Sequence, residues 1–80
     1  MTKAKIVAAT QMADGQSGVV VDVGGGRILK SRLEALGIRP GKKIRKVSSS
    51  FMRGPLVIEV EESNIAVGFG MADRIFARIE

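Results

Sequence analysis

The sequence predicts a mainly β domain, with about five short strands rolled into a small closed or nearly closed barrel and one short helix inserted after the first main strand. Three observations predict it. Val19, Val21 and Val23 alternate with Val20 and Asp22, which is the period of a half-buried strand. Leu29, Leu33 and Leu36 recur at i, i+4 and i+7, which puts them on one helical face. Further period-2 runs follow Pro55 and Arg74, and closing so small a sheet removes the edges it would otherwise expose.

The elements follow in chain order. Met1 to Gln16 is the least patterned part, with a short extended piece at Lys5 to Ala8 and a turn at Asp14-Gly15. The first main strand starts after Ser17, bounded by Gly18 before it and Gly24 to Gly26 after it. The helix spans Arg27 to Leu36, with Gly25 or Gly26 as N-cap and Gly37 as the left-handed residue past its last turn. A helix this short is marginal in water, so its leucines must pack on the strands. Arg39-Pro40-Gly41-Lys42 carries the residues of a type II turn and sends the chain into a basic strand, Lys43 to Val47. Ser48 to Gly54 reads as a loop, and Pro55 marks where the next strand begins. In that strand Leu56, Ile58 and Val60 alternate with Val57, Glu59 and Glu61. Glu62-Ser63-Asn64 reads as a hairpin tip, Ile65 to Gly68 as the returning strand and Gly70 to Arg74 as a single turn. In the last strand Ile75, Ala77 and Ile79 alternate with Phe76, Arg78 and Glu80.

Eighty residues make a single small domain, 1–80, with one contiguous core. The chain has no cysteine and no histidine, which removes disulfides, zinc-finger and iron-sulfur ligation and imidazole catalysis from a monomer. Lys3 and Lys5 precede only Ile6 to Ala9, shorter than a signal h-region, and no run approaches the roughly 20 apolar residues of a membrane span. Cytoplasmic location without membrane insertion is the expectation. The charge is uneven: residues 27–53 hold nine basic groups against Glu34 alone, a local +8, whereas residues 54–80 carry −3. Such a dipole bears on partner choice rather than on fold.

Each motif has a plain alternative. Gly24, Lys30 and Ser31 fall at P-loop spacing, but Leu29 replaces the second glycine, so a turn and helix start is the ordinary reading. The basic run Arg39 to Lys46 suits phosphate contacts, yet binding of single strands by small barrels needs exposed aromatics for stacking. With no Trp, no Tyr and three Phe, of which Phe69 and Phe76 are expected to be partly buried, only Phe51 could serve, and a nucleic-acid partner is disfavoured. The same shortage removes the aromatic groove that Pro-rich peptides require. Glu59, Glu61, Glu62 and Asp73 are acidic, but Glu61 and Glu62, read as strand neighbours, point to opposite faces, and no oxygen-ligand loop surrounds them. No metal site, cofactor or catalytic residue is therefore assigned, and Ser48 to Ser50 have no base to pair with. In the loop S-S-S-F-M-R-G-P, Phe51 and Met52 beside Arg53 form a candidate contact point, with folding back onto the barrel as the alternative.

The run from Leu29 to Ile44, L-K-S-R-L-E-A-L-G-I-R-P-G-K-K-I, preceded by S-G-V-V-V-D-V-G-G-G and followed by G-P-L-V-I-E-V and A-D-R-I, resembles the FeoA family over roughly residues 15–80. The R-L-x-x-L-G-I-x-P-G core is its most specific part. Lys46 stands where the family commonly has an apolar strand residue. The resemblance implies an SH3-like barrel, shared with the C-terminal domain of diphtheria-toxin-repressor-type metalloregulators, and a regulatory, non-enzymatic role in ferrous iron uptake beside the membrane GTPase transporter FeoB. Joined to the charge pattern, it makes Lys30, Arg32, Arg39, Lys42, Lys43, Arg45, Phe51, Met52 and Arg53 the expected partner contacts. Val19, Val21, Leu29, Leu33, Leu36, Gly37, Pro40 and Gly41 are the expected structural set. Alternatives are a non-specific nucleic-acid-binding barrel and a stand-alone relative of the metalloregulator domain, with weak transition-metal binding and weak homo-oligomerisation left open.

Overall fold

A computed structural model of the protein describes residues 5–49 and 53–79. Its elements are β1 (Lys5–Ala8), a 3-10 turn (Ala9–Gln11), β2 (Ser17–Val23), α1 (Arg27–Ala35), β3 (Lys43–Ser49), β4 (Leu56–Val60), β5 (Ser63–Val67), α2 (Phe69–Ala72) and β6 (Ile75–Ile79). The strands make one antiparallel sheet in the order β1, β6, β2, β3, β4, β5. The extended piece at Lys5 to Ala8 is thus a sixth strand, paired with β6 from Lys5↔Ile79 to Ala8↔Phe76.

Alternation in β2 correctly predicts a strand but mistakes which face looks inward. Val20 and Val23 are buried, whereas Val19 and Val21 are half-buried. Two contacts with β6 decide this. Gly18 shares the inward face with Val20, and β6 lies so near that a Cβ there would sit 2.9 Å from Ile79 Cγ2 and 3.0 Å from the Arg78 carbonyl oxygen. The register then shifts between Val20 and Asp22, so the next inward side chain is Val23 rather than Asp22.

Helix α1 ends one residue before the predicted stop, with Leu36 as C-cap. The Ile38 amide donates to the Leu33 carbonyl at 2.9 Å and the Gly37 amide to the Glu34 carbonyl at 3.0 Å, with Gly37 at φ +90. This is a Schellman motif, and its usual apolar contact joins the residue after the glycine to the start of the last turn. Both Leu33 and Ile38 are fully buried in the core. Ile38 takes the place the heptad spacing gave to Leu36, which is 42% exposed, while Leu29 packs half-buried on the core edge. Beyond it the Lys42 amide donates to the Arg39 carbonyl at 3.1 Å, with Gly41 at φ +93, as the type II turn requires.

Strand β3 runs two residues beyond the predicted Val47, so Ser48 and Ser49 belong to the sheet, opposite Val57 and Leu56. The β4–β5 turn also falls earlier than predicted. Val60 pairs with Ser63, leaving Glu61 and Glu62 as the turn residues at φ 50 and 67, the two left-handed positions of a type I′ hairpin. These two glutamates are turn residues and not strand neighbours.

The interior is aliphatic except for Lys46, which is 6% exposed. On β3 it has the same inward parity as Ile44. Its ammonium donates to the Met12 carbonyl at 2.7 Å and to the Thr10 carbonyl at 3.5 Å. Backbone bonds from Gly15 N to Lys46 O and from Lys46 N to Gln16 O fasten the same segment to β3.

Candidate docking surface

The predicted contact residues divide into two groups. Lys30 and Arg32 project from the exposed side of α1 and Arg39 from the turn after it, all exposed. Lys42, Lys43 and Arg45 lie on β3 or at its start, where the sheet register brings carboxylates beside them. Arg45 is the cross-strand partner of Glu59, and its Nε donates to Glu59 Oε1 at 2.8 Å. Lys42 Nζ lies 3.1 Å from Glu61 Oε1. These are the ion pairs found among the described residues.

An open groove of about 490 Å³ on this surface is lined by Lys42, Lys43 and Arg45 and by Glu59, Glu61 and Glu62. A groove lined equally by both signs offers no continuous track for a phosphate backbone. The +8 of the linear stretch is therefore redistributed in space: the hairpin glutamates offset its β3 half, and the α1 half keeps its charge.

Arg53 turns away from both groups. At φ 61 it holds its guanidinium 5.7 Å from the centroid of the half-buried Phe69 ring, a cation–π arrangement that ties the β3–β4 connection to α2. Phe51 and Met52 lie outside the described residues. Among the described residues, no group of three or more Asp, Glu, His or Cys side chains is placed to hold a metal ion. Asp73 accepts a hydrogen bond from the Thr10 hydroxyl at 2.8 Å, so it belongs to the packing of α2 against the 3-10 turn. Gly24 to Gly26 form a corner whose last member caps α1.

Sequence reasoning missed two surface residues. Ile28 is 77% exposed, and with Leu36 it is one of the few large apolar side chains on the outside. Ile28, Arg32 and Leu36 follow one another at i, i+4 and i+8 and make a single ridge along α1. The signal was present in that spacing, but the stronger stripe at Leu29 and Leu33 drew Leu36 into the core assignment.

The FeoA domain profile matches residues 7–79. The chain belongs to the FeoA family. An iron uptake regulatory protein, FeoA, is 30% identical over 94% of this chain and 99% of its own, with a TM-score of 0.84. FeoA from Stenotrophomonas maltophilia, a prokaryotic SH3 domain protein solved with zinc, is 23% identical over 86% of both chains at TM-score 0.73. A manganese-dependent transcriptional repressor shares the fold at TM-score 0.87 and 14% identity, with this chain spanning 45% of it. A search of curated proteins by sequence finds no match.

The FeoA domain here is thus an SH3-like barrel of a family associated with ferrous iron transport, made up of accessory proteins rather than a known class of enzyme. Among the described residues no helix is long and apolar enough to cross a membrane.

Proposed function

We propose that this FeoA-family chain is a cytoplasmic, non-enzymatic regulator of ferrous iron uptake that works by direct contact with the cytoplasmic part of the membrane GTPase transporter FeoB. The observation that carries the reading is 30% identity across nearly the whole chain to an iron uptake regulatory FeoA. The chemistry of the surface is in keeping with it. Ferrous iron favours imidazole or thiolate ligands when held by a carrier, and the chain contains neither. A domain without such ligands can influence iron movement by binding the protein that moves it.

Tagged protein expressed at native level should co-purify with the transporter, and deleting the chain should lower ferrous iron uptake while transporter abundance stays constant. Failure to recover the transporter under gentle, low-salt conditions, together with unchanged uptake, would refute the reading. Stoichiometric iron held by the isolated domain would equally contradict it.

A further inference from the structure

We infer that the docking element is the outer ridge of α1, Ile28-Arg32-Leu36, and that its occupant is an acidic amphipathic helix of the partner protein. This deepens the transporter reading and rests on it. Ile28 is 77% and Leu36 42% exposed, one helical turn on either side of the exposed Arg32. Side chains at i, i+4 and i+8 form the kind of ridge that packs into the groove of a second helix. Arg32 lies within the ridge and Arg39 follows the end of α1, both exposed, and neither lies within ion-pair distance of a described carboxylate. Charge complementarity therefore calls for an acidic partner.

The other basic surface is less suited. On β3, Lys42 and Arg45 are already engaged by Glu61 and Glu59, so a partner would first have to break those pairs. A lipid surface is the competing occupant for apolar and basic residues side by side. Two apolar side chains on a nine-residue helix bury too little hydrocarbon to hold a domain on a bilayer, whereas they suffice as the centre of a protein contact with a charged rim.

The test measures binding of the whole chain to the transporter's purified cytoplasmic domain by calorimetry, with Ile28→Asp, Arg32→Glu and, as a control on β3, Lys43→Glu. All three side chains are exposed, and unchanged melting curves will show that the variants fold. Ile28→Asp and Arg32→Glu should each weaken binding by about tenfold or more, as central contacts do, and Lys43→Glu by less than about twofold. An acidic-to-basic change on the partner's helix should restore binding to Arg32→Glu. Wild-type affinity in both ridge variants overturns the ridge while leaving the transporter reading intact. No binding by the wild type removes both. Binding of the wild type, but not of Ile28→Asp, to phosphatidylglycerol vesicles in place of the protein overturns the helix as occupant.

Discussion

The ammonium of Lys46 and the carbonyl of Met12 meet at 2.7 Å inside an otherwise aliphatic interior. A strand position that would ordinarily carry an apolar side chain instead sends a cation across to the 3-10 turn, where it satisfies a main-chain oxygen that the sheet does not reach. A lysine is long enough to run its stem among the core residues and bring its ammonium to that oxygen.

Replacing this lysine by methionine preserves most of the stem and removes the donor. The Met12 carbonyl is then left without its partner, and an unsatisfied buried group costs about 1–3 kcal/mol. Lys46→Met is expected to lower stability to urea by that amount and to speed amide exchange from Ala9 to Gln16. A variant as stable as the wild type would mean that water replaces the ammonium without loss.

Gly18 lets β2 and β6 approach. Gly18→Ala places a methyl 2.9 Å from a branch of Ile79 and 3.0 Å from the Arg78 main-chain oxygen, which cannot swing aside. Overpacking of this kind costs about 1–3 kcal/mol, read as a shift in the urea midpoint with unchanged slope.

The two helix leucines should differ sharply. Leu33 is fully buried, and its truncation to alanine is expected to cost about 2–5 kcal/mol, whereas Leu36→Ala at an exposed C-cap should cost less than about 1 kcal/mol. Equal losses in the two melts would mean that Leu36 belongs to the core after all.

The β4–β5 turn holds a glutamate at φ 67 where glycine is preferred. Relief of left-handed strain should outweigh the greater freedom glycine has when unfolded, so Glu62→Gly is expected to stabilise by on the order of 0.5–1 kcal/mol. A lower melting temperature for this variant would contradict the turn geometry.

Arg45 and Glu59 are cross-strand partners with side chains 43% and 34% exposed. A double-mutant cycle should give a coupling of only about 0.2–1 kcal/mol, falling as salt is added. A larger, salt-insensitive coupling would place the pair in a drier environment than its exposure indicates.

Much of the fold was legible in the residues themselves. Gly37 and Pro40-Gly41 announced the ends of the helix and the turn because their chemistry acts locally, within three or four residues. Alternation marked β2, β4 and β6 as strands for the same reason. The leucine stripe placed Leu33 in the interior, and the family motif around it led to the SH3-like barrel. Charge counting found the basic half of the chain.

What the sequence by itself determined, then, was which segments are strands, which is helical and where the chain turns. Only the tertiary structure decided that Val20 rather than Val19 looks inward, that Ile38 displaces Leu36 from the core, that Lys46 is buried, and that Lys42 and Arg45 are matched by Glu61 and Glu59 of the next hairpin. Each of those outcomes depends on a neighbour far away in the chain. A period reveals that a strand has two faces, but the strand packed against it selects the one that is covered; a run of cations reveals charge, but the register of the adjoining strand determines which of them remain free to meet a partner.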